Sequence, residues 1–138
     1  MTFEDLPNNW ADMPLTDAEL ATNVVDLFLG ERDRHADSWL LLLCDEHDRL
    51  IQPIVIDGMK WHCSARELAE ATAFLDQLDV VPGMIAAISS ARPFTLPLGR
   101  RWHRALAETA PKLLHFYTAN PGLLPRRIGG CAQDELAS

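Results

Sequence analysis

Four of the chain's twelve basic residues, Arg92, Arg100, Arg101 and Arg104, follow closely on one apolar run, Met84-Ile85-Ala86-Ala87-Ile88-Ser89. They sit in Ser90-Ala91-Arg92-Pro93-Phe94-Thr95 and Gly99-Arg100-Arg101-Trp102-His103-Arg104, where a strand pattern gives way to a helix pattern. The first turn of a helix offers unpaired amides and the positive end of its dipole. A carboxylate or phosphate arriving there would meet backbone N–H groups as well as guanidinium groups. Ser90, Arg92, Arg100 and Arg104 are therefore the candidate ligand-binding residues, and a small anion is the candidate ligand. Two plainer uses compete. Arg100 and Arg104 suit a solvated helix face, and Arg92 can pair with the surplus carboxylates of residues 1–79.

Other chemistries have weaker support. None of His35, His47, His62, His103 and His115 stands at a spacing with a known metal use, so no metal or other cofactor is expected. Cys44, Cys63 and Cys131 are odd in number and show no C-x-x-C pair, which argues against a disulfide framework and for a reducing cytoplasm. No G-x-S-x-G elbow and no phosphate-cradling glycine loop is present. An enzyme remains an alternative, with Cys44, Asp45, Ser89, Ser90, Arg92 and Asn120 gathered at the ends of the first, third and fourth strands and Arg92 as substrate anchor. A third alternative is local nucleic-acid binding through Arg100, Arg101 and Arg104. It lacks the aromatic ladder that single strands need, Trp61 being the one candidate for an exposed stacking ring.

The elements that must position these residues follow from periodicity. Thr16 with Glu19 forms a capping box. Leu20, Val24, Leu27 and Phe28 continue it as one helical face, and Gly30 suits a left-handed stop. Glu31–Asp37 reads as a solvated loop. Trp39–Cys44 is a strand buried on both faces. Leu50–Ile56 pairs with it as a hairpin, at a sheet edge because Pro53 has no N–H to donate. Ser64 and Glu67 cap a second helix that runs to about Asp79. Met84–Ser89 is a central strand, Leu98–Thr109 a third helix, and Leu113–Ala119 a fourth strand. The order α-β-β-α-β-α-β predicts a single α/β domain with a mixed four- to five-stranded sheet and about three helices. An irregular arm (1–15) precedes the domain (16–122), and a loosely ordered tail (123–138) follows it.

Hairpin, helix, strand, proline-bearing loop, helix and strand, over about residues 39–119, resemble the JAB/RadC-like, cytidine-deaminase-like group of small α/β folds. In that group the third strand ends in a His-x-His-Pro type segment that holds zinc. The matching stretch here is Ser89-Ser90-Ala91-Arg92-Pro93, in which Pro93 alone fits. The deaminase His-x-Glu and Pro-Cys-x-x-Cys patterns are absent too. The resemblance implies a sheet with helices on it and a zinc site that has been lost, and no catalytic residue carries over.

Charge divides unevenly along the chain. Residues 1–79 carry −12 and residues 80–133 carry +6, within a net charge of −8. An acidic protein is a poor general polyanion binder but can keep a local basic surface. At 138 residues the chain suffices for one core. No apolar run approaches the ~18 residues of a membrane span, and the acidic start Met-Thr-Phe-Glu-Asp lacks a signal-peptide pattern. A non-catalytic binding or protein-interaction module of the cytoplasm fits these features best. Self-association or a protein partner is expected, with opposite charges able to meet across a two-fold axis.

Overall fold

The computed structural model describes residues 6–129. Helices α1 (Ala18–Phe28) and α2 (Glu31–His35) precede the hairpin β1 (Trp39–Cys44) and β2 (Leu50–Ile56). Helix α3 (Ala65–Thr72) runs into a 3-10 turn at Ala73–Gln77. Then come β3 (Gly83–Ser89), α4 (Leu96–Ala107), β4 (Lys112–Ala119) and β5 (Arg126–Gly129). The strands form one sheet in the order β2-β1-β3-β4-β5. β1 is antiparallel to β2 and to β3, β3 is parallel to β4, and β4 is antiparallel to β5. This is the expected α/β domain with a mixed sheet, β3 central and the Pro53 strand at one edge. Among the described residues no helix is long and apolar enough to cross a membrane.

Two-residue alternation explains why β1 and β3 read as continuous apolar runs. Trp39, Leu41, Leu43, Met84, Ala86 and Ile88 face a core closed by Leu68 and Leu75 of the α3 segment and by Leu98, Trp102 and Leu106 of α4. Leu40, Leu42, Cys44, Ile85 and Ala87 face a second core closed by α1 through Leu20, Val24 and Val25. The sheet is thus covered on both sides. The 3-10 turn Trp10–Asp12 lies against α1, with Trp10 edge-on to Phe28 at 6.1 Å.

Four local expectations need correction. The cap of α1 is Asp17, whose Oδ1 accepts from the amides of Glu19 (2.9 Å) and Leu20 (3.2 Å). Thr16 instead turns its carbonyl to His115 Nε2 at 3.1 Å. Gly30 is not left-handed; it opens α2, and its N–H donates to Asp33 Oδ2 at 3.1 Å. The expected loop over residues 31–37 is therefore mostly helix, and it contains a buried arginine, Arg34. Finally, the segment expected to be loosely ordered (123–138) contains strand β5 at Arg126–Gly129, while residues 130–138 lie outside the described residues.

Candidate functional site

Strand direction decides which loops meet. Because β1 opposes both β2 and β3, the ends of β2, β3 and β4 share one end of the sheet with the start of β1. Three segments distant in sequence converge there around a cavity of about 440 Å³. His35 comes from the end of α2 and Asp37 from the link between α2 and β1. Met59, Lys60, Trp61 and His62 come from the segment after β2, and Ser90 to Phe94 come from the loop after β3. The first two segments are laced together, Gly58 N–H donating to Ala36 O (2.8 Å) and Met59 N–H to Asp37 O (3.0 Å).

The floor is a chain of indoles. Trp61 is buried, and its Nε1 donates to Ser89 O at 2.9 Å. Trp102 Nε1 donates in turn to Trp61 O at 3.0 Å, with the two rings edge-to-face at 5.0 Å. Phe94 packs edge-on to Trp61 from the loop side at 6.1 Å. The indoles of Trp61 and Trp102 thus each meet a carbonyl, as most buried donors do. Trp61 is accordingly no exposed stacking ring, contrary to the sequence expectation.

The serines differ in role. Ser89 is fully buried and its hydroxyl is spent on the fold, donating to Ser38 O (2.7 Å) and accepting from Ser38 N–H (3.2 Å). Ser90 lines the cavity, and its Oγ accepts from Arg92 N–H at 3.2 Å, which turns the loop so that Arg92 lies on the cavity. Arg92 and Lys60 are both exposed. No carboxylate of the described residues is within ion-pair distance of either, so the expected pairing of Arg92 with the acidic half is not made. Their formal charges outweigh the one acid of the lining, Asp37. Exposed His35 and His62 add two imidazoles, and Met59, Phe94 and Leu98 supply apolar wall. Such a lining can hold a small molecule with an anionic group and an apolar body.

Of the sequence candidates, Ser90 and Arg92 line the cavity and Arg100 and Arg104 do not. The helical repeat explains the split. Leu98 points to the cavity and core, and residues two and six positions further along lie on the far side of α4, where Arg100 and Arg104 are exposed. The six-residue catalytic set also comes apart. Cys44 pairs with Gly83, so Cys44 and Asp45 stand at the opposite end of the sheet from Ser90, Arg92 and Asn120. Burial first, then Asp48 and Asp45, push the Cys44 thiol up to about 12, which removes it as a nucleophile near neutral pH. His35, Asp37, Lys60 and His62 escaped sequence reasoning. The one local sign was a Lys-Trp-His run directly after a strand. Among the described residues no three His, Cys, Asp or Glu side chains gather as a metal site. Comparison with protein-family models, with curated proteins and with solved structures finds no match.

Proposed function

We propose that this chain is a cytoplasmic binding module whose cavity takes a small anionic ligand. The observation that carries this reading is the pair Lys60 and Arg92, cations from two different connections on one cavity, neither in a salt bridge with a carboxylate of the described residues, although Glu67 feels the charge of Lys60. The apolar wall beside them favours a ligand with a hydrocarbon or aromatic part. A thermal-shift screen with phosphate, short-chain carboxylates, aryl carboxylates and mononucleotides, at low and moderate salt, tests it. A ligand at a hundred times its Kd stabilises the fold by about 2.7 kcal/mol, a readable rise in Tm. That rise should vanish in Arg92→Ala and in Lys60→Ala. A flat screen, or an undiminished shift in both variants, overturns the reading.

Self-association is a second reading, favoured by where the charge lies. The acidic stretch of sequence builds β1, β2 and α1–α3, and the basic stretch builds β3–β5 and α4, so opposite charges occupy opposite halves of the sheet. Copies joined through those halves would separate as salt rises; sedimentation showing a monomer at every salt concentration would end this reading. Nucleic-acid binding through Arg100, Arg101 and Arg104 is the least supported use, since those side chains lie away from the cavity. On element order alone we also propose kinship with the JAB/RadC-like group. Ser89–Pro93 would then occupy the place of the group's zinc-binding segment.

A further inference from the structure

We infer that Asn120 is a positioning residue that preforms the cavity by holding the loop that carries Arg92. The inference rests on the proposed ligand site and names the part of the fold that sets its geometry. Asn120 follows β4 directly, beside the end of β3. Its side-chain amide has two N–H donors. Nδ2 donates to Ser90 O at 2.9 Å and to Arg92 O at 2.8 Å, bracketing Ala91. Ser90 is buried and its N–H still donates to Ala119 O at 3.2 Å, but from Ala91 to Pro93 the loop is exposed and has left the ladder, so few other bonds can fix the Arg92 carbonyl. The loop's own contribution is the bond from Arg92 N–H to Ser90 Oγ.

Asn120 is itself held from behind. Its carbonyl accepts from Arg34 Nη1 at 3.2 Å, and the same nitrogen donates to Leu123 O at 2.6 Å. Arg34 Nε donates to Leu29 O at 2.7 Å, and Nη2 pairs with Asp26 Oδ1 at 2.7 Å. The Glu31 carboxylate accepts from Gly122 N–H at 2.9 and 3.0 Å, at a glycine with φ of 76° that an L side chain would strain. α2 therefore clamps the turn after β4 through Arg34 and Glu31, and the same helix ends in His35, a cavity residue. One hydrogen-bond network runs from Arg34, the sequence neighbour of His35, through Asn120 to the backbone of Arg92. Asn120 is not in the lining, so its effect on a ligand passes through the loop.

Hydrogen exchange of the Ser90 and Arg92 amides, the two loop N–H groups that hold hydrogen bonds, set against those of Met84–Ile88, tests this in Asn120→Ala and Asn120→Asp. The aspartate variant keeps size and shape but offers no donor to the two carbonyls. Both variants should speed loop exchange by about tenfold, the loss of roughly one net hydrogen bond's worth of protection, while β3 exchange stays at the wild-type rate. Any phosphate or benzoate that shifts the wild-type Tm should bind both variants more weakly. Wild-type loop exchange in Asn120→Asp overturns the inference, as does equal acceleration in loop and β3, which would mark a general loss of stability. If neither probe binds the wild-type protein, the ligand reading fails for those anions, and the exchange comparison still decides whether Asn120 positions the loop.

Discussion

The two ends of the sheet carry similar residue types and do different things with them. At the end where β1 finishes, Asp45 has its oxygens filled. Oδ1 accepts from the amides of His47 (2.8 Å) and Arg49 (3.0 Å), and Oδ2 from Arg49 Nε (3.1 Å). The Arg49 amide above all holds its carboxyl below the usual carboxylate range. Cys44 beside it is buried and protonated. The turn is tight, with Asp48 in left-handed backbone at φ 63°. At the other end, the indoles of Trp61 and Trp102 are likewise satisfied, yet Lys60 and Arg92 are left facing a cavity. The difference is topological. A hairpin turn of few residues spends its polar groups on closing itself, whereas crossover connections are long enough to enclose space. Residue types alone do not distinguish the two ends; what does is whether their charges are taken up in salt bridges or face a cavity.

The sharpest way to break this contrast is to remove one arginine from each end. Arg34→Ala at the cavity end takes away donors to the carbonyls of Leu29, Asn120 and Leu123 and one partner of Asp26, through a guanidinium that is itself buried. It should cost about 3–5 kcal/mol, as loss of one member of a buried charged network does. Arg49→Ala removes a pair in which Arg49 is 44% exposed, and should cost no more than about 1 kcal/mol. Urea unfolding of both variants gives the comparison. Equal losses would mean that the cavity end is not held by its buried network.

The next effect belongs to the other end and appears with pH. The folded-state pKa of Cys44 is raised, so the fold keeps a neutral thiol that the unfolded chain ionises near the ordinary thiol value of 9.0. The stabilisation is complete below about 9 and is lost as pH rises toward about 12. Wild-type stability measured between pH 8 and 11 should fall more steeply than that of Cys44→Ala. Parallel slopes would show that the thiol is not buried as described. In native protein near pH 8, iodoacetamide should reach half-buried Cys63 well before Cys44.

How much of this could be read beforehand depends on whether a feature is local. The long apolar strands were legible because burial on both faces leaves an uninterrupted apolar run, and Pro53 announced an edge. The capping box of α3 was legible as well, Ser64 and Glu67 exchanging bonds of 3.1 Å in each direction. Replacing Ser64 by Ala should cost about 1 kcal/mol. α2 was not legible, because Glu-Arg-Asp-Arg-His has the composition of a solvated turn and its order comes from Arg34 reaching carbonyls some ninety residues away. Nor was the direction of β1 relative to β3, and that one binary fact moved Cys44 and Asp45 to the wrong end of the site. That Ser90 and Arg92 would line a cavity could be anticipated because they lie directly after a strand whose apolar run was recognisable. Lys60, His62, His35 and Asp37 join them only through pairing that no local pattern encodes.

The smallest predicted effect lies just under the cavity, at Trp39. Its ring is buried and meets Phe74 at 5.7 Å and Trp102 at 5.9 Å, but its Nε1 has no hydrogen-bond partner, unlike the indoles of Trp61 and Trp102. A buried donor without an acceptor is a cost that the native state carries. Trp39→Phe gives back that cost while losing some packing volume, and the two should cancel to within about 1 kcal/mol. Trp102→Phe makes the same change in ring size but also leaves Trp61 O without its donor, adding about 1–3 kcal/mol of loss. Equilibrium unfolding of the two variants therefore separates volume from hydrogen bonding at nearly constant shape. A Trp39 variant as unstable as the Trp102 variant would mean that packing alone holds the floor. The indole-to-carbonyl chain beneath the cavity would then contribute nothing to keeping it in place.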